Sequence, residues 1–205
     1  MRRLGTDYID LYQMHSPDPG MPFEETLGAL NDLVVAGKVR EIGCSGYSGD
    51  QLSESVKAST DNGFAHFVSA MHDYSLLVRA PEEELLPACE RLGVAFLPYF
   101  PLASGLLTGK YAKGQPAPAG SRLAFWTPRP AFVLSDDNLD RVQSLTDFAA
   151  AKGHTLLELA MSWLAARPQI ASVIAGATTP EQVRENAAAA GWKISGDELA
   201  EIDKL

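Results

Sequence analysis

"DYIDLYQMHSPDP", residues 7–19, runs an apolar, aromatic and β-branched stretch straight into a histidine and then a proline-rich turn. Such a run reads as a buried strand, "YIDLYQ" over 8–13, with the turn closing it. His15 then stands at a strand end. There it is either a hydrogen-bonding plug or a proton-handling group beside a ligand.

Four further compact apolar runs follow: "VREIGCS" (39–45), "HFVSAM" (66–71), "VAFLPYF" (94–100) and "ASVIAG" (171–176). Runs of this kind suit parallel strands covered on both faces. Helical patterns with stop and start signals lie between them. Phe23, Leu27, Leu30 and Val34 share one face of a helix that Gly37 stops. Ser48-x-x-Gln51, Thr155-x-x-Glu158 and Ser195-x-x-Glu198 have capping-box spacing. Pro81 is placed as the first residue of a helix carrying Leu85, Cys89 and Leu92 up to Gly93. Leu139, Val142, Leu145 and Phe148 stripe another helix. Thr179-Pro180-x-Gln182 opens one more.

Strand and helix in alternation give repeated right-handed βαβ units. An open doubly wound sheet and a (β/α)8 barrel both fit that rhythm. No G-x-G-x-x-G follows the first strand, so the doubly wound reading lacks its phosphate-binding turn. Polar and aromatic residues gather instead at the C-terminal ends of the runs, where barrels place their sites. The expectation is therefore α/β, an incomplete (β/α)8 TIM barrel of about five parallel strands with surrounding helices. Residues 1–205 form one domain in this reading, with a long Gly-, Pro- and Ala-rich loop at 103–134. A loop of that length is usually a lid or ligand clamp.

The 205 residues are 46% hydrophobic and 21% charged, as in a globular domain with a sizeable core. A net charge of -9 offers no basic surplus for nucleic acid or anionic membrane. Two cysteines make no disulfide framework or zinc-type spacing, and no metal is expected. No apolar stretch reaches about 18 residues, the length that would suggest a span. A cytoplasmic protein is the default expectation, and the oligomeric state stays open.

"RLGTDYIDLYQMHSPDP", "GKVREIGCSGYS", "PYFPLASGLLTGKY" and "GATTPEQVRENAAAAGW" together resemble blocks of the aldo-keto reductases, in that family's order and over the whole chain. The resemblance implies a barrel enzyme that reduces small-molecule aldehydes or ketones with NADPH, NADH being left open. It assigns His15 to the substrate carbonyl, Ser45 to the nicotinamide carboxamide and Tyr99 to stacking on the nicotinamide ring. Phe100, Pro101, Leu102, Ala103 and Ser104 match the turn that meets the pyrophosphate. Lys110 and Arg122 match basic residues that close over the phosphates. Gly176, Thr178, Gln182, Glu185 and Asn186 match the adenosine 2′-phosphate end. Gln182 has a competing use, the capping box with Thr179, and one orientation of its side chain cannot serve both.

The chain departs from the family pattern in two ways. Gly46 stands where the family usually has asparagine, and Met71-His72-Asp73-Tyr74 where it often has Gln-Asn-Glu-Tyr. Hydrogen bonds to the carboxamide are then lost, although His72 could substitute. A complete barrel also needs eight strands and about 250 residues. The family's catalytic tyrosine, lysine and aspartate belong to the first three strands, so the expectation is an N-terminally truncated member whose isolated chain is inactive. The alternative is a non-catalytic NADP(H)-binding sensor or regulatory subunit, as in potassium-channel β subunits, a branch that tends not to keep the histidine. Phe125 and Trp126 suggest an apolar wall to a substrate pocket whose substrate the sequence leaves unnamed.

Overall fold

The computed structural model describes residues 2–125 and 133–205. Strands β1 (Ile9–Met14), β2 (Val39–Ser45), β3 (Phe67–Asp73) and β4 (Ala95–Tyr99) form one sheet in the order β1-β2-β3-β4. β1 pairs β2 and β2 pairs β3 in parallel. The chain folds as two compact units. The first comprises Met1–His72, Ala80–Leu97 and Gln169–Ala171, the second Asp73–Arg79, Pro98–Pro168 and Ser172–Leu205.

In the first unit, α1 (Phe23–Val35) buries Leu27 and Leu30, and Gly37 turns the chain at φ 66°. α2 (Gly49–Asn62) opens on the expected box: the Ser48 hydroxyl accepts from the Gln51 N–H while the Gln51 side chain accepts from the Ser48 N–H. The expected start at Pro81 is corrected. Ala80–Glu82 is a single 3₁₀ turn, and α3 begins only at Leu85 and runs to Leu92. The break falls where the backbone of Glu84 lies against Gly49. A Cβ there would sit 2.8 Å from the Glu84 carbonyl oxygen. Ile42, Cys44, Leu52, Phe67, Cys89 and Phe96 are fully buried or nearly so in this unit. Each large apolar side chain so buried contributes about 1.5–3 kcal/mol.

The second unit contains α4 (Arg122–Phe125), α5 (Asp136–Ala151), α6 (Leu156–Ala165), α7 (Pro180–Ala188) and α8 (Gly196–Ile202). Leu139, Val142, Leu145 and Phe148 form the buried stripe of α5, as their spacing predicts. Thr155 and Glu158 close the box that starts α6, and Ser195 and Glu198 the one that starts α8. Trp163 is wholly buried, its ring 5.1 Å from that of Tyr74. The guanidinium groups of Arg79 and Arg167 lie over the same indole, at 5.3 and 4.7 Å, and both pair with Asp203.

The fifth run, 171–176, forms no ladder. It meets β4 through two isolated parallel bridges, Phe96 with Ile170 and Tyr99 with Ile174. Ile174 is 42% exposed, so among the described residues this apolar run has no second neighbour to bury it.

Parts of the 103–134 segment are helical. A 3₁₀ stretch covers Ala103–Thr108, and α4 lies within it.

Candidate functional site

In the first unit the strand tips carry His15, Ser45 and Met71. Register pairs Met14 with Cys44 and Ser45 with Met71, so His15 and Ser45 follow in the same row. His15 is exposed and Ser45 is buried. The Gly46 N–H donates to the Met71 carbonyl at 3.1 Å. Gly46 has φ 71°, and a Cβ there would meet only the His15 oxygen and Pro17 Cδ at 4.0 Å. The departure from asparagine thus lies at a left-handed position with room beside it. Asparagine is one of the few residues that tolerate such a backbone. Met71 and His72 are half-buried.

In the second unit the expected cofactor turn is conformationally unusual. Phe100 (φ 53°), Ala103 (φ 45°) and Ser104 (φ 60°) all lie in the left-handed region, followed by Gly105 at φ 95°. Non-glycine residues there cost of order 1–3 kcal/mol each and cluster at ligand clamps. Internal hydrogen bonds hold the turn. The Ala103 N–H donates to the Phe100 carbonyl and the Gly105 and Leu107 N–H groups to that of Leu102. Pro101 and Ser104 are buried, and Leu102 and Ala103 are half-buried. Among the described residues the Ser104 hydroxyl has no hydrogen-bond partner, so it is available to a ligand oxygen.

The half-buried Tyr99 ring stands edge-on to Phe100, centroids 5.3 Å apart. The Arg122 guanidinium lies 5.4 Å over the Phe100 ring. Lys110 approaches Gly105 so closely that a Cβ there would be 3.2 Å from its Nζ. Two cations therefore flank a strained turn. Positive charge beside a hydroxyl suits a phosphate oxygen. Sequence reasoning missed Tyr111, buried at this turn with an unpartnered hydroxyl. Its place next to Lys110 in "TGKY" was the available signal.

The residues expected at the adenosine end also lie in the second unit. Thr179 caps α7 through its hydroxyl, which accepts from the Gln182 N–H at 3.3 Å. The second half of the expected box is corrected. Gln182 Oε1 accepts from the Thr178 N–H (2.7 Å) and hydroxyl (3.1 Å). Gly176, Thr178, Gln182 and Glu185 are exposed. Asn186, one turn after Gln182, is half-buried and lines an open, otherwise apolar groove of about 360 Å³ with Val173, Ala177 and Val183. Phe125 is 70% exposed; Trp126 lies outside the described residues.

The parallel sheet carries polar residues at its C-terminal strand tips, the arrangement of an incomplete (β/α)8 barrel. The chain belongs to the aldo/keto reductase family, whose profile matches residues 1–205. It is similar to the NADH-specific methylglyoxal reductase of Escherichia coli strain K12, 37% identical over 95% of this chain and 58% of that protein. The L-glyceraldehyde 3-phosphate reductase of the same strain is 32% identical over 100% of this chain and 60% of its own length. A probable voltage-gated potassium channel subunit beta of Arabidopsis thaliana is 36% identical, over 91% and 57%. The chain spans little more than half the length of these relatives. No helix among the described residues is long and apolar enough to cross a membrane.

Proposed function

We propose that this chain is the dinucleotide-holding portion of a cytoplasmic, NADPH-dependent reductase of small aldehydes or ketones, folded as one barrel-type domain. The observation that carries the reading is the Phe100–Ser104 turn, whose left-handed residues are flanked by Lys110 and Arg122. Strain is retained where a ligand recovers its cost.

Ser104, Lys110 and Arg122 would hold the pyrophosphate, Tyr99 and Ser45 the nicotinamide, and Thr178, Gln182, Glu185 and Asn186 the adenosine end. The Gln182 amide must leave Thr178 to bind. When bound, the cofactor supplies hydride. His15 is exposed at the β1 tip and serves by donating a hydrogen bond to the carbonyl oxygen. The family's tyrosine, lysine and aspartate have no counterpart in these 205 residues. The isolated chain is therefore expected to bind NADPH but not to turn over an aromatic aldehyde.

The test is a titration of NADPH into the chain, followed by nicotinamide fluorescence, with Arg122→Ala and Ser104→Ala beside it. Saturable binding weakened by both variants supports the reading, and absence of binding overturns it. Reduction at ordinary enzyme rates, roughly 1 s⁻¹ or more, would overturn the inactivity. Similarity to a probable channel subunit favours a second reading, a non-catalytic NADP(H)-binding subunit. It is distinguished by saturable NADPH binding in a longer chain that still lacks turnover.

A further inference from the structure

One row across the sheet of the first unit places Gln13 of β1, Gly43 of β2 and Ser69 of β3 side by side. The Ser69 hydroxyl donates to Gln13 Oε1 at 3.4 Å, passing over the middle strand. Adjacent strands lie about 4.8 Å apart, so β1 and β3 are roughly twice that distance from each other. Side chains on alternate strands meet only if the strand between gives up its own side chain. Gly43 does so: a Cβ there would stand 2.3 Å from Gln13 Oε1 and 2.4 Å from Ser69 Oγ. The space above Gly43 is thus filled by the two polar groups.

The location of this tie gives it meaning. The β2–β3 ladder shifts register between Ile42 and Gly43: Ile42 pairs with Phe67, whereas Gly43 pairs with Ser69, leaving Val68 as the extra residue of a bulge. Beyond the bulge, every pairing depends on where Ser69 is held. A slip of one residue would turn each later side chain to the opposite face. The next row on the same face is His15, Ser45 and Met71, two residues further along each strand.

We propose that Gln13 is a positioning residue. Its carboxamide, seated over Gly43 and held by Ser69, locks the bulge register and so aligns the His15–Ser45–Met71 row. The functional part of this inference rests on the reading that His15 and Ser45 face the dinucleotide, but the register lock itself does not.

The test uses the full 205-residue chain and the variants Gln13→Met, Ser69→Ala and the double variant. The readouts are hydrogen exchange of the Gly46 amide, which bonds the Met71 carbonyl, referenced to the core amide of Cys44, and NADPH affinity. Each single variant is expected to speed Gly46 exchange about 2- to 10-fold, the factor for one hydrogen bond. The double variant should add little more, because both changes break the same tie. NADPH affinity should fall by a similar factor. Unchanged Gly46 exchange in both single variants, or equal acceleration at Cys44, overturns the proposal. If the parent chain binds no NADPH, the functional reading fails, while the exchange data still decide the register lock. Gly43→Ala is expected to exclude the carboxamide and reproduce Gln13→Met at Gly46. Should that variant fail to fold, the two side-chain variants decide alone.

Discussion

The His154 imidazole lies flat against the Trp192 indole, with ring centroids 4.1 Å apart and planes 14° from parallel. Phe148 stacks on the same indole at 6.1 Å. The Trp192 backbone N–H donates to the Ser162 hydroxyl, which itself donates to the Ala189 carbonyl. Trp192 therefore fastens the segment after α7 to α5 and α6. Aromatic pairs contribute about 0.5–1.5 kcal/mol each beyond area burial. Trp192→Ala is expected to lower unfolding free energy by about 1–3 kcal/mol, read from urea midpoints. Val35→Ala, at a position 79% exposed, should stay within about 0.5 kcal/mol of the parent. Equal midpoints for the two variants would refute the fastening role.

Acid should loosen the starts of α6 and α8. The Glu158 carboxyl is held below its ordinary value, chiefly by the Thr155 N–H and then by its hydroxyl. Glu198 is lowered in the same way by the Ser195 N–H and hydroxyl. A carboxylate whose folded pKa lies below its unfolded one adds stability above the unfolded value, about 4.3 for glutamate. That stability disappears as pH falls through the folded value. Melting temperature is therefore expected to drop on acidification below about pH 4.3. Glu158→Gln with Glu198→Gln should flatten that limb. An unchanged acid limb in the double variant would remove both carboxylates from the account.

The capping boxes at Ser48, Thr155 and Ser195 were legible because their information is local: two side chains, three residues apart, each with one backbone partner. Gln182 shows where such reading stops. The same spacing lets its amide reach Thr179 or Thr178, and only the path of the chain entering α7 selects Thr178. The fifth run, 171–176, has strand composition, but a ladder needs a neighbour, and composition cannot supply one. Positive φ at Phe100, Ala103 and Ser104 had no sequence signal, since none is glycine or asparagine. Val68 as a bulge residue was equally hidden, because an extra residue in a ladder is defined only by the partner strand. The order of the strands and the residues at their tips were readable in the sequence; the backbone geometry around them was not.

Cys44 and Cys89 are both wholly buried in the first unit. Burial pushes the Cys44 thiol up, with a smaller contribution from Cys89, and raises Cys89 to about 12. The thiolate is the reactive form, so neither sulfur should react with an aromatic disulfide reagent at pH 8 while the chain is folded. Both should react at once in denaturant. Labelling in the folded state then reports opening of the first unit. Rapid modification of either thiol in buffer alone would contradict the burial that defines this core.

Gly46 offers the most direct gain-of-function test. At its φ of 71°, an added Cβ meets no atom closer than 4.0 Å, so a side chain can start from this position without a clash. Left-handed backbone costs asparagine less than other side chains. The family resemblance places a carboxamide-binding asparagine here, next to Ser45. Gly46→Asn is therefore expected to tighten NADPH binding by about 2- to 10-fold, the factor for one recovered hydrogen bond. Gly46→Ala, which pays the backbone strain without offering an amide, should bind no better than the parent. Isothermal titration of NADPH into the three chains makes the comparison. Equal affinity for the asparagine and alanine variants would mean that the β2 tip does not face the nicotinamide, and the role of Ser45 would fall with it.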